Sequence, residues 1–253
     1  MFKEKRLEEI LKHIVDNAHA TVDELAEQFN VSNMTIRRDL NALEKSGLIS
    51  RTHGGAMSSN MLRFEERYEQ KQSKNADIKN LIAKAALQLI QEDSIIFLDA
   101  GTTTYYIALQ LKQHFKNLTI FTNDIKIASE LYTSDFQIYI TGGRIQAETG
   151  CIMGQITNSF INALNFDISF IGASAINHNL FLLTPSEEKA INKKNIIQKA
   201  PVNVLVCDHS KFEQKGLFNI VSADTFDYIV TNYKFSATQV QHLENKNTKI
   251  IQI

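Results

Sequence analysis

Seven apolar runs dominate the chain from residue 78 onwards: "SIIFLDA", "LTIFTN", "FQIYITGG", "FDISFIGAS", "VNVLVCD", "DYIVTN" and "TKIIQI". Helical patterns separate several of them, around Ile125–Leu131, Ser186–Ala200 and Ser236–Glu244. "IKNLIAKAALQLI" leads into the first run and "TYYIALQLK" follows it. A strand that is apolar throughout must bury both of its faces. Such strands, alternating with helices, predict a mostly parallel sheet covered on both sides, hence an α/β domain over residues 79–253.

That domain does not use the whole chain. At 253 residues a second domain is expected. An apolar fraction of 43% against 22% charged residues excludes wholesale disorder. The net charge of −1 gives no global basic character, so any surface for nucleic acid must be local. Cys151 and Cys207 lie in no CxxC or Cys/His spacing, so no disulfide framework, zinc site or other metal is expected, and a reducing compartment fits. "MFKEKRLEEILKHIV" is charged and helix-periodic rather than a secretory leader, and no apolar run reaches 18 residues. The expectation is a cytoplasmic protein without membrane contact.

The first 57 residues read as three short helices and a hairpin. Leu7, Ile10, Leu11 and Ile14 recur at helical spacing between Lys3 and Val15. Thr21 followed by Glu24 is a capping box opening "TVDELAEQF", whose stripe is Val22, Leu25, Ala26 and Phe29. Ser32 caps a third helix running to about Lys45, with Gly47 suited to its left-handed end. "LISRTHGGAM" then predicts a hairpin turning near His53, Gly54 and Gly55. The order is that of a winged helix-turn-helix. Residues 58–78 are polar, lack a core stripe and read as a partly helical linker.

Phase separates the third helix into two faces. At about 100° per residue, Leu40 and Leu43 share the side of Ile36, whereas Met34, Arg38 and Asn41 point away and Arg37 lies at the flank. Residues 33–53 hold Arg37, Arg38, Lys45 and Arg51 against Asp39 and Glu44, while residues 1–57 hold eight basic and nine acidic side chains. Positive charge is therefore concentrated where a recognition helix and wing would meet a duplex. Two adjacent arginines taken alone suit a solvated face; the ordered set of cap, turn, cap and hairpin favours double-stranded DNA. Ser32, Met34, Thr35, Arg37, Arg38 and Asn41, with Arg51 and His53 in the wing, are the expected DNA-contacting residues.

Three strand ends carry possible ligand chemistry. "LDAGTTT" ends a strand and opens a helix, where Gly101 allows a tight turn and Thr102, Thr103 and Thr104 offer hydroxyls beside free amides. A helix start welcomes an anion, but a plain threonine-capped turn reads equally well. The stretch is neither a Walker A loop nor GxGxxG, so no nucleotide cofactor is expected. Thr122–Asn123 and Gly142–Gly143 also end strands, and the glycine pair is either a close approach to ligand or a tight turn. In "DHSKF", Lys211 is either a cation for a phosphate or a surface lysine, with Asp208 available to orient it; His209 reads as structural or solvated.

These stretches together resemble the DeoR family of bacterial transcriptional regulators. "TIRRDL", "LEKSGLI" and "RTHGGA" carry the likeness in the head, and "IFLDAGTTT", "TN", "TGG", "FIGAS" and "DHSKF" carry it through the rest. The resemblance implies a winged head and a sensor fold like ribose-5-phosphate isomerase. It implies a homo-oligomeric repressor of a sugar-catabolism operon, released from its operator by a phosphorylated sugar. It favours an effector site at Asp99, Gly101, Thr102, Thr103, Thr104, Asn123, Gly142, Gly143 and Lys211. The alternative is a fused sugar-phosphate isomerase or deaminase that still turns over its ligand. Isomerisation needs a carboxylate base, and beyond Asp167 the stretch "FDISFIGASAI" has none; Glu187 and Glu188 suit the first turn of a helix. No catalytic residue is expected. Phe181 stands where many relatives carry a glycine, so the ligand loop is expected to differ in shape.

Overall fold

Contacts divide the chain into two units, Met1–Leu62 and Arg63–Ile253. The computed structural model describes residues 3–17, 19–46, 48–52, 54–58, 61–62 and 65–253.

The first unit runs α1 (Lys3–Asn17), β1 (His19–Thr21), α2 (Val22–Phe29), α3 (Asn33–Lys45), β2 (Ile49–Thr52), β3 (Gly55–Ser58) and β4 (Met61–Leu62). The capping box forms: Thr21 Oγ1 accepts from the Glu24 amide at 3.2 Å, and the Glu24 carboxylate accepts from the Thr21 amide at 2.8 Å. Asn30, left-handed at φ 50°, stops α2, and Ser32 caps α3 through the Thr35 amide. The C-cap of α3 is Ser46 at φ −83°, so the helix closes without a left-handed residue at that position; Gly47 and His53 lie outside the described residues.

The hairpin gains a third strand that three residues of sequence, "HAT", could not announce. The order is β1-β3-β2, all antiparallel. A side chain on Gly55 would meet the Ala20 carbonyl oxygen at 2.1 Å, so this close approach requires glycine. Ile10, Ile14, Leu25, Ile36 and Leu40 form the core, each fully buried. Asp39, also buried, ties α3 to α1 by accepting from Arg6 Nε at 2.6 Å.

The second unit runs α4 (Tyr68–Ser73), α5 (Ala76–Ala86), β5 (Ile95–Leu98), α6 (Thr102–His114), β6 (Thr119–Thr122), α7 (Ile125–Leu131), β7 (Gln137–Ile140), β8 (Arg144–Ile145), β9 (Ile152–Met153) and α8 (Gln155–Asn162). It continues with β10 (Ile168–Gly172), β11 (Ala175–Ile176), β12 (Phe181–Thr184), α9 (Glu187–Ile197), β13 (Val202–Val206), β14 (Lys215–Gly216), β15 (Phe218–Ser222), β16 (Tyr228–Thr231), α10 (Ala237–Asn245) and β17 (Lys249–Gln252). The seven apolar runs form one sheet, ordered β17-β16-β13-β10-β5-β6-β7, with its pairings parallel. Alternate side chains feed two cores. Ile96 and Leu98 of β5 pack with Ile82, Ile107 and Ile127, while Phe97 between them packs with Phe166, Ile171 and Ile196.

The chain leaves β5 toward β6 and β7, then returns to place β10 on the other side of β5. The strand order therefore reverses between β5 and β10. Crevices beyond the carboxyl ends of strands at such a reversal are where ligands sit in open α/β sheets.

Residues 58–78, expected as a linker, do more than connect. Arg63 onwards belongs to the second unit, where α4 and α5 are helical and Tyr68 is buried. One aromatic ring and ion pairs anchor the segment, which leaves no periodic stripe to read.

Candidate functional site

On the first unit, α3 presents the face that its phase predicted. Met34 is 69% exposed, and Arg37, Arg38 and Asn41 are exposed, while Ile36, Leu40 and Leu43 are buried. Neither the Arg37 nor the Arg38 guanidinium has a partner among the described residues. Ser32 and Thr35 share a hydroxyl hydrogen bond at 3.0 Å, so both hydroxyls are engaged at the helix start.

Arg51 is used inside the unit. Its Nε donates to the Gly55 carbonyl at 3.1 Å, and Nη1 donates to Asn41 Oδ1 at 2.7 Å and the Arg37 carbonyl at 3.3 Å. It staples the hairpin to α3, and among the described residues its Nη2 and the Asn41 amide donors have no partner. The sequence could not show this, because nothing in "SRT" marks which carbonyls the arginine will meet.

In the second unit a cavity opens at the β5/β10 reversal. Tyr68, Lys71, Ala100, Gly101, Thr102, Thr103, Thr149, Gly172, Ala173, Ser174, Lys189, Lys193 and Lys211 line it. A wider groove runs along β17 past Phe235, Val240 and Ile250, away from this reversal. Gly101 precedes α6 in extended conformation, and the amides of Thr102 and Thr103 in the first turn have no acceptor among the described residues. The start of a 13-residue helix thus points free donors and a positive dipole end into the cavity.

Four ammonium groups meet two carboxylates at this site. Lys193 ion-pairs with Asp99 and donates to the Gly172 carbonyl at 2.8 Å; both charged side chains are buried. Asp99 also accepts from the Gly172 amide at 3.2 Å. Lys189 lies 2.9 Å from Glu65 Oε1, and Lys71 lies 3.3 Å from Glu65 Oε2. Lys189 also reaches Thr149 Oγ1 at 3.3 Å. The Lys211 ammonium has no partner among the described residues. Among the described residues that line the cavity the charged side chains are all cations, with Asp99 and Glu65 behind them. Asp208 lies close enough to Lys211 that, against burial, the lysine helps to hold it below the usual carboxylate range.

Burial draws the Lys71 ammonium below its ordinary range, against the opposing pull of Glu65. Burial also works to raise the Glu65 carboxyl, but Lys189 and Lys71 outweigh it and hold it below the usual carboxylate range. The Tyr68 hydroxyl is buried with no hydrogen-bond partner among the described residues, and burial raises it further above its usual range. A buried polar group left without a partner on a cavity wall is an unmet demand for one.

Of the residues expected at an effector site, Gly101, Thr102, Thr103 and Lys211 line this cavity, and Asp99 stands directly behind it. Thr104 is turned inward, its hydroxyl donating to the Asp99 carbonyl at 2.6 Å. Asn123 is buried beneath the loop, its Oδ1 accepting from the Ala100 amide at 2.8 Å, so it shapes the turn from below. Gly142 and Gly143 do not line the cavity. A side chain on Gly143 would strike Thr157 Oγ1 at 2.3 Å, so glycine there permits close packing against α8. Phe181 begins β12, is 41% exposed and does not line the cavity. Glu187 and Glu188 occupy the first turn of α9, with Glu188 paired to Arg144. Lys71, Lys189 and Lys193 were missed by sequence reasoning. Lys189 and Lys193 share a helix face four residues apart, which was the one available hint.

Comparison with known proteins places both units. Residues 6–61 match the DeoR-like helix-turn-helix domain, and residues 74–233 match the DeoR C terminal sensor domain. The chain is 32% identical to the HTH-type transcriptional regulator GlpR of Haloferax volcanii, over 99% of this chain and 98% of that protein. It is 33% identical to the lactose phosphotransferase system repressor of Lactococcus lactis, over 96% and 95%. Among solved structures, ribose 5-phosphate isomerase A of Methanocaldococcus jannaschii aligns at a TM-score of 0.41 and 18% identity, covering 55% of each chain. With two domain matches in order and relatives spanning nearly its whole length, the chain belongs to the DeoR family of transcriptional regulators.

Proposed function

We propose that the protein is a DNA-binding repressor of a sugar-catabolism operon, released from its operator when a phosphorylated sugar occupies the cavity of the second unit. The observation that carries this reading is the convergence of Lys71, Lys189, Lys193 and Lys211 with the open amides of α6 at the strand-order reversal. Free N–H groups and ammonium charges in a water-poor site suit a phosphate, and Thr102, Thr103, Ser174 and Tyr68 offer hydroxyls to a sugar. Relatives named as repressors, one of them of a lactose phosphotransferase system, support the same sign and substrate class.

The cavity supports sensing rather than turnover. Among the described residues no carboxylate lines it; Asp99 and Glu65 behind it are ion-paired to lysine, and Asp124 behind Gly101 is held by the amides of Gly101, Lys126 and Ile127. On the first unit, Arg37, Arg38, Met34 and Asn41 form the reading face, with Arg51 fixing its geometry and offering one remaining nitrogen. A homo-oligomer follows from the small footprint of one helix, since operator-level affinity needs two half-sites.

The test is a gel shift with DNA upstream of the protein's own gene, run with a panel of sugar phosphates and the matching free sugars. One phosphorylated sugar should release the DNA and raise thermal stability, because a ligand that binds the folded state stabilises it. Release by free sugars alone, or product formation from any panel member, rejects the reading.

A further inference from the structure

Glu65 is an unexpected member of the second unit. Its side chain is only 5% exposed, and its two oxygens are divided between Lys189 and Lys71, two of the cations that line the cavity. It lies three residues beyond Leu62, where the first unit ends. Ala100, Gly101 and the helix start occupy one side of the cavity, and Glu65 holds cations from another.

We propose that the Glu65 carboxylate is a tethered counter-anion, which an anionic ligand displaces from Lys71 and Lys189 on entering the cavity. The inference rests on the reading of this cavity as an anion site and adds how occupancy is reported. Without ligand, Glu65 pairs with both ammonium groups and offsets one of their two charges, which keeps the segment leading out of the first unit seated. A phosphate held by the same two lysines presents like charge to Glu65 within the same water-poor space. A carboxylate buried beside that charge, with its cations engaged elsewhere, is strongly disfavoured. It leaves for solvent, and residues 65–67 leave with it. Ligand affinity and the seating of Glu65 are then two sides of one coupling, and each weakens the other by the same factor.

The chemistry of the competitor follows. A neutral sugar brings no charge to compete for either ammonium and leaves Glu65 in place; a phosphate dianion, with more charge than a single carboxylate, displaces it.

The experiment uses the full-length protein, with inorganic phosphate as probe. Glu65→Gln keeps the shape and removes the charge. Phosphate titration followed by calorimetry is expected to show about tenfold or more tighter binding by E65Q than by the wild type. In the wild type, saturating phosphate is expected to speed hydrogen exchange at residues 65–68, and this second measurement stands if the variant fails to fold. Wild-type protein that binds phosphate, with E65Q binding it equally or more weakly, overturns the proposal while leaving the cavity reading intact. Phosphate binding that slows exchange at residues 65–68 overturns it in the same way. Absence of phosphate binding in wild type and variant alike overturns the cavity reading and the proposal together.

Discussion

Replacing Lys193 by methionine strips the cation from a carboxylate that has no route to water. Asp99 is 2% exposed, and after the change its remaining donor is the Gly172 amide at 3.2 Å. The Gly172 carbonyl loses a donor in the same step, since Lys193 Nζ reaches it at 2.8 Å. Breaking a buried ion pair from one side costs about 3–5 kcal/mol, because the stranded charge keeps its desolvation penalty and loses its compensation. The second unit holds about 190 residues, a size at which each kcal/mol lowers the midpoint by about 2–4 °C. Lys193→Met should therefore lower the second unit's thermal transition by roughly 6–20 °C. Differential scanning calorimetry of the full chain reads this. The paired change Asp99→Asn with Lys193→Met removes both charges, and its loss should stay below about 2 kcal/mol. If the double variant is as unstable as the single one, or the single variant moves by less than about 1 kcal/mol, the buried-pair argument fails.

Three further outcomes are expected. Arg38→Ala should cost about 1–3 kcal/mol of operator binding with no change in thermal midpoint, since its guanidinium has no partner among the described residues; fluorescence anisotropy at physiological salt checks it. Tyr68→Phe should leave stability unchanged or slightly raised, because the lost hydroxyl has no partner, yet weaken phosphate binding severalfold in a calorimetric titration. Burial pushes the Asp124 carboxyl up to about 6, against amide hydrogen bonds from Lys126, Ile127 and Gly101. The folded state therefore binds this proton more tightly than the unfolded chain does. The group's contribution to stability falls as pH rises from about 4 to 6, by about 3 kcal/mol, and the penalty persists above that window. Asp124→Asn should remove that slope, seen as a difference between wild-type and variant denaturation midpoints across pH 4–7.

Much of the architecture was legible because each central strand buries both faces and so appears as an unbroken apolar run. The order of those strands was not, since no local pattern says that Ile168–Gly172 will pair beside Ile95–Leu98. The short pairings Arg144–Ile145 with Ile152–Met153 and Ala175–Ile176 with Phe181–Thr184 are too brief to carry a period. At the site, Gly101, Thr102 and Thr103 were readable because a glycine between an apolar strand and a helix start has local geometry. Lys71, Lys189 and Lys193 were not, because lysines in "YEQKQS" and "EEKAINKKN" look like any solvated helix face. Only the fold turns them inward. Gly142 and Gly143 lie off this cavity's lining, and a glycine pair at a strand end looks the same in sequence wherever the fold places it.

That α4 forms one wall of the cavity has a practical consequence for dissecting the protein. The matched sensor domain begins at residue 74, beyond Glu65, Tyr68 and Lys71. A fragment cut there would lose a side of the cavity and leave Lys189 without its anion. On the proposed reading of the cavity, it would report weak or altered ligand preference however well it folded. Dissection that keeps this cavity whole starts at Arg63, so the stretch that follows the reader also supplies part of the wall of the proposed effector site.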